Sequence, residues 1–377
     1  MVRRYCLLIA LVLCSRAAVA QDPTPGIELP TDSRTPSTPG VHNGGFIGIP
    51  VVRSTPQLGF ALGGVAALLF SIDSASPKSI VGVGAAYSDT QSWLAEVASR
   101  VFFQNGARTG ALGFLWFGFN YDFFGVGFEQ GNANRSVDIS QSGDSQMIEY
   151  LGRLIGRFYI GPRYLHRGVG TSLRKLESTS ATDSVAVLAQ SDNSYHLSAL
   201  GIQGSYDTRN IPDEPTNGTL GEVQAMFSRE WLGSDPQFNW YRGWINQYVA
   251  LSSHAAVLAL RLQACSVGSL APVWELCLYG LNSDLRGYAA GRYRDNTMLT
   301  TQAEFRLPLG DRFGAVGFGG VGAVAPSFSD LALDQLLPSG GVGLRYLVWE
   351  SWHVKVGADI AWGRNGAAFY LRLGEAY

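Results

Sequence analysis

The chain has 377 residues, of which 15% are charged and 46 are glycine, with a mean hydropathy of +0.07. Soluble domains carry about 25% charged residues, so an ordinary soluble surface is excluded, and 28 basic against 30 acidic residues exclude a basic face for nucleic acid. No apolar run beyond the first segment reaches the ~18 residues of a membrane helix, which leaves strands as the way across a bilayer.

The chain opens with MVRRYCLLIALVLCSRAAVA, which reads as a secretory signal peptide over residues 1–20. Arg3 and Arg4 form its positive region, Leu7 to Leu13 its apolar core, and Ala18-Val19-Ala20 a small-residue cleavage site. Cleavage removes three basic residues and no acidic ones, so the remainder carries 25 against 30, a net charge of −5. Residues 21–44 are rich in Pro, Thr, Ser and Gly and read as a disordered periplasmic linker. Residues 45–377 then read as one outer-membrane β-barrel, reached after export across the inner membrane.

Within that span, period-two alternation predicts an all-β fold: a 16-stranded antiparallel transmembrane barrel, an even number as bacterial barrels require. The expected strands are 45–53, 57–71, 78–88, 91–104, 107–118, 147–161, 164–176 and 194–207. They continue with 218–230, 239–252, 255–266, 296–308, 312–324, 338–349, 352–363 and 366–376. In TTQAEFRLPL, Ala303, Phe305, Leu307 and Leu309 share a lipid-facing side, and Gln302, Glu304 and Arg306 a lumen side. WHVKVGADIAW repeats the pattern, with Asp359 on the polar side. Long connections at 119–146, 177–193, 231–238, 267–295 and 325–337 are expected outside the cell. Short turns at Gly161-Pro162, Ser252-Ser253, Gly310-Asp311 and Glu350-Ser351 are expected in the periplasm. The last strand leads to Tyr377, an aromatic end of the kind that barrel-assembly machinery reads as a signal.

Catalytic signatures are missing. There is no GxSxG elbow, HExxH or P-loop, and the five histidines are scattered. GFGGVG (317–322) matches a dinucleotide fingerprint by letter but lies in a strand pattern with no helix after it. Its small residues instead leave room on the barrel wall for something packed against it. The expectation is a non-enzyme with no cofactor and no metal. Cys265 and Cys277 are close in sequence in an exported chain, which favours a local disulfide; a metal reading lacks further ligands nearby.

One loop stands out: LRGYAAGRYRDNTM, residues 285–298, sets three arginines on a glycine-containing stretch before the last five strands. Leu285-Arg286-Gly287-Tyr288 matches V/L-R-G-F/Y at all four positions. With SYDTRNIPDEPTNG (205–218), AEFRLPL (303–309), GVGLRY (341–346) and FYLRLGEAY (369–377) in order, the chain resembles the BamA/TamA-type outer-membrane assembly and translocation superfamily, the bacterial surface antigen family. The resemblance implies that the motif loop folds into the lumen and that Arg286 meets acidic partners on the wall. Glu304 matches the first. The second, an aspartate in F-x-D-x-G, is replaced: Phe318-Gly319-Gly320-Val321-Gly322 puts Gly320 at its place. Glu304 alone, Asp359 or a backbone carbonyl is then left to hold Arg286. Arg292, Arg294 and Asp295 are expected at the loop stem in water.

The family's assembly members also carry periplasmic polypeptide-transport-associated domains, and here residues 21–44 stand in that place. The resemblance thus implies a barrel in outer-membrane lipid, built by the barrel-assembly machinery, that inserts or translocates proteins or lipids with a separate periplasmic partner. The alternative is a passive diffusion barrel or structural surface protein. The pairing of the first and last strands separates the two.

Overall fold

The computed structural model of the chain describes residues 45–133, 135–174, 194–212, 214–251, 256–280, 285–349 and 354–377. The expected signal peptide and linker, the loop 177–193, and the turns at Ser252-Ser253 and Glu350-Ser351 lie outside them.

The strands are β1 (Gly45–Thr55), β2 (Gly59–Phe70), β3 (Ser79–Ser88), β4 (Trp93–Phe103), β5 (Arg108–Phe123), β6 (Val137–Ile155), β7 (Phe158–Leu173), β8 (Ser194–Asp207) and β9 (Gly218–Ser228). Then follow β10 (Asn239–Leu251), β11 (Ala256–Val267), β14 (Thr297–Leu309), β15 (Phe313–Ala325), β16 (Leu337–Trp349), β17 (Val354–Gly363) and β18 (Gly366–Leu373). These sixteen close into one antiparallel barrel in chain order, β11 pairing with β14 and β1 meeting β18. A two-stranded ribbon, β12 (Cys277–Leu278) and β13 (Arg294–Asp295), lies in the long connection between β11 and β14. Among the described residues one short α-helix, α1 (Phe128–Asn132), follows β5.

Alternation decides which face each side chain takes. Along β14, Thr300, Gln302 and Glu304 are buried while Leu299 and Phe305 are exposed. Val342, Leu344, Ile360, Trp362 and Phe369 continue the exposed apolar band on β16 to β18. An apolar exterior around a polar interior is what a lipid solvent selects.

Two expectations are corrected. The turn placed at Gly161-Pro162 is instead at Gly156 (φ +55°) and Arg157, and Pro162 lies within β7. Proline has no N–H to give a ladder, and the β6–β7 register skips Gly161 and Pro162, so the strand passes through them. The loop 119–146 is also shorter than expected, because β5 runs to Phe123 and β6 starts at Val137. Register puts Asn120, Asp122, Asp138, Ser140 and Asp144 on the outward face there. These strands rise above the apolar band, so their outward residues are polar and hide the strand pattern.

Candidate functional site

The connection after β11 turns into the barrel. Leu285, Arg286 and Tyr288 are at most 2% exposed. Arg286 Nη2 donates to Glu304 Oε2 at 2.5 Å, and Nη1 donates to Asp359 Oδ2 at 2.8 Å. Its guanidinium lies over the Phe318 ring, 3.3 Å from the centroid. Asp359, on β17, therefore supplies the carboxylate that Gly320 cannot. A forked guanidinium spanning two carboxylates is the arrangement arginine favours over lysine.

Glycines make the seat. At Gly320 a Cβ would lie 2.5 Å from Leu285 Cδ1, and at Gly322 one would lie 2.7 Å from Tyr279 Cε2. Both positions are where the inserted loop touches the wall. Gly287 itself has φ +113°, a conformation open to glycine. Its N–H donates to Tyr370 Oη at 2.9 Å. Tyr288 Oη donates to the Pro338 carbonyl at 2.6 Å, and burial pushes its phenol up to about 12, so it stays a neutral donor.

Arg292, Arg294 and Asp295 do not sit in water. Arg294 is 2% and Asp295 5% exposed. Arg294 donates to the Gly291 carbonyl, and its guanidinium lies 4.9 Å from the Phe123 ring centroid and 5.6 Å from that of Trp274. Half-buried Arg292 donates to the Gly131 carbonyl at 3.0 Å and lies over Phe124. Aromatic faces and carbonyls take the place of water here. Burial raises the Asp295 carboxyl.

A second anchor had no sequence signal beyond Arg167's inward place on β7. Arg167 Nη1 donates to both Glu275 oxygens at 2.7 Å, and Tyr195 Oη donates to Glu275 Oε1 at 2.7 Å. All three are buried. Cys265 and Cys277 form a disulfide with Cα atoms 5.9 Å apart, tying the inserted connection to β11.

Tyr377 is not on a lipid-facing strand. β18 ends at Leu373, and the next residues turn into the lumen. Tyr377 is buried with Leu220, Trp244, Tyr248, Val257 and Ala259, and its hydroxyl donates to the Ala259 carbonyl at 3.1 Å. Glu375 accepts from Arg345 Nε at 2.8 Å. Arg306 donates to the Tyr377 carbonyl.

The seam is sparse. β1 pairs with β2 at eleven positions, but with β18 at one, Ser54 opposite Leu371. Continuing that register would set Val51 against Gly374 and Gly48 against Tyr377. Gly374 still donates its N–H to the Lys355 carbonyl of β17 at 2.8 Å, and Tyr377 lies inside the lumen instead. Among the described residues, no group of three or more His, Cys, Asp or Glu is placed to hold a metal ion.

Residues 96–363 match the Omp85 superfamily domain. The chain belongs to the Omp85 superfamily. Solved structures agree in fold. A BamA from Haemophilus ducreyi lacking POTRA domains 1–3 superposes with a TM-score of 0.58 at 14% identity, covering 88% of this chain and 70% of that one. CdiB from Escherichia coli gives 0.59 at 12% identity, covering 89% and 63%. CdiB from Acinetobacter baumannii gives 0.57 at 11%, covering 88% and 59%. The chain thus spans less than two thirds of either CdiB. No curated protein sequence matches it. As an Omp85 barrel, it is an outer-membrane protein.

Proposed function

We propose that this Omp85 barrel takes part in inserting or translocating proteins or lipids at the outer membrane, with separate partners delivering the client. The seam carries the reading. Over residues 45–53, β1 forms no register pair with β18 among the described residues. An unpaired edge is a template on which another strand adds through main-chain hydrogen bonds. The contents of the lumen weigh against the alternative, a diffusion barrel. A water path is needed there, and the inserted loop and the tail occupy part of that space with side chains packed against the wall. The reading includes no catalytic step and no cofactor.

The test locks the seam. In liposomes, the parent protein is expected to speed the folding of an added, unfolded outer-membrane barrel, read as heat-modifiable migration. The oxidised Ser54→Cys/Leu371→Cys double variant is expected to lose that acceleration, and either single variant to keep it. Equal acceleration by the locked barrel, or a steady open-pore conductance in planar bilayers, overturns the reading.

A further inference from the structure

Six charges alternate in sign around a closed ring inside the barrel. Arg345 bridges Glu375 at 2.8 Å and Asp359 at 2.5 Å. Arg286 bridges Asp359 at 2.8 Å and Glu304 at 2.5 Å. Arg306 bridges Glu304 at 2.8 Å and returns to Glu375 at 4.0 Å. The ring joins five parts of the chain: the inserted loop, β14, β16, β17 and the tail after β18.

Four members belong to the wall. Arg345, Arg306, Asp359 and Glu304 sit on strands and balance one another. Arg286 and Glu375 come on segments outside the sheet, and from opposite ends. The inserted loop enters from the end where β11 stops, and the tail from the end where β1 starts. Arg372 of β18, with Nε 3.4 Å from Asp359, also belongs to the wall and leaves it with one positive charge in excess. Seating Arg286 alone raises that excess, and seating Glu375 lowers it, so the loop's cation is favoured once the tail's anion is in place. Uncompensated charge in such an interior is strongly unfavourable.

We propose that the inserted loop and the tail are interlocked, each holding the other in the lumen through the shared wall charges. The interlock extends to the periplasmic mouth. Lys355 lies 3.7 Å from Glu375 and also pairs with Glu214 of the β8–β9 connection. A partner that draws the tail away therefore loosens Arg286, and the effect is reciprocal because both sites share one equilibrium. The interlock needs no client, so its failure and that of the proposed assembly role are separate results.

Ala290→Cys, half-buried on the inserted loop, reports loop exposure to a membrane-impermeant maleimide; Ala376→Cys reports the tail. Glu375→Gln keeps the side-chain shape and removes the charge. It is expected to raise Ala290→Cys labelling about fivefold or more, the range of ordinary coupling energies. Arg286→Gln is expected to raise Ala376→Cys labelling by a similar factor. Asp311→Asn, in the turn after β14, is expected to change neither. If Arg286→Gln does not fold, the Glu375→Gln arm decides alone. Parent-rate labelling of Ala290→Cys in the folded Glu375→Gln protein overturns the interlock, whether or not the tail has become exposed.

Discussion

The Leu285 side chain occupies the space that a side chain at Gly320 would need, its Cδ1 lying 2.5 Å from the ideal Cβ position there. The acidic partner implied for that place has moved two strands along, to Asp359 on β17, and leucine fills the vacated volume. Gly320→Asp is expected to push Leu285 off the wall, an overpacking of about 1–3 kcal/mol. The midpoint of the heat-modifiable gel shift should fall, and Leu285→Ala in the same chain should recover part of the loss, the rest coming from the Thr301 carbonyl oxygen beside the same position. Simple addition of the two effects would show that the residues do not compete for the space.

Arg286 is fully buried between two carboxylates, and truncating it removes the cation they share, although Glu304 keeps Arg306 and Asp359 keeps Arg345. Arg286→Ala is expected to cost about 3 kcal/mol in barrel stability, the low end for a broken buried pair, and Glu304→Ala, which strips both Arg286 and Arg306 of a partner, at least as much. A double-mutant cycle read by thermal unfolding should show strong coupling between them. Arg286→Lys should recover only part, because an ammonium lacks the planar, rigid fork that spans both partners and lies flat on the Phe318 ring.

The Cys265–Cys277 disulfide closes a short loop, 12 residues apart in sequence. Chain-entropy reasoning assigns such a bridge about 3 kcal/mol. Cys265→Ser is expected to lower the unfolding midpoint accordingly. Thiol titration of the denatured, unreduced parent should find neither cysteine free, and a reactive pair would refute the bridge.

Burial alone would raise the Glu375 carboxyl, but Arg345 and Arg306 beside it more than reverse this and hold it below the usual carboxylate value of 4.5. A lowered folded value means stability that is present above the unfolded value and is lost as pH falls through the folded one. The gap in unfolding midpoint between the parent and Glu375→Gln should thus stay constant from neutral pH down to about 4.5 and shrink only below it. A gap that closes between pH 7 and 5 would contradict the pairing.

Export is tested directly. The mature protein is expected to begin at Gln21 on N-terminal sequencing and to fractionate with outer membranes. Deleting residues 21–44 should leave the unfolding midpoint unchanged, since the segment offers little apolar surface to bury.

Much of this architecture was legible because lipid and lumen impose opposite demands on neighbouring residues. The pattern placed Glu304 and Asp359 on the inner wall. It failed where the solvent changed. Asn120 and Asp138 face outward above the lipid, so their strands read as loop. Pro162 read as a turn because a ladder gap is invisible in one strand. The Arg167–Glu275 pair spans a separation of 108 residues, and neither residue carries a local sign of the other. Tyr377 read as a strand end, since nothing in FYLRLGEAY reports that the chain turns inward after Leu373.

The unequal strand lengths bear on the lipid itself. β6 has 19 residues, whereas β18 has 8. Eight residues at about 3.3 Å each, tilted by about 40°, rise roughly 20 Å along the membrane normal. The apolar band of such barrels is about 25 Å tall. On the β18 side of the seam the wall is shorter than the acyl chains, a mismatch that a bilayer relieves by thinning locally, whereas β1 with its 11 residues spans the band. The rim at β18 is therefore where the hydrocarbon barrier beside this barrel is expected to be lowest.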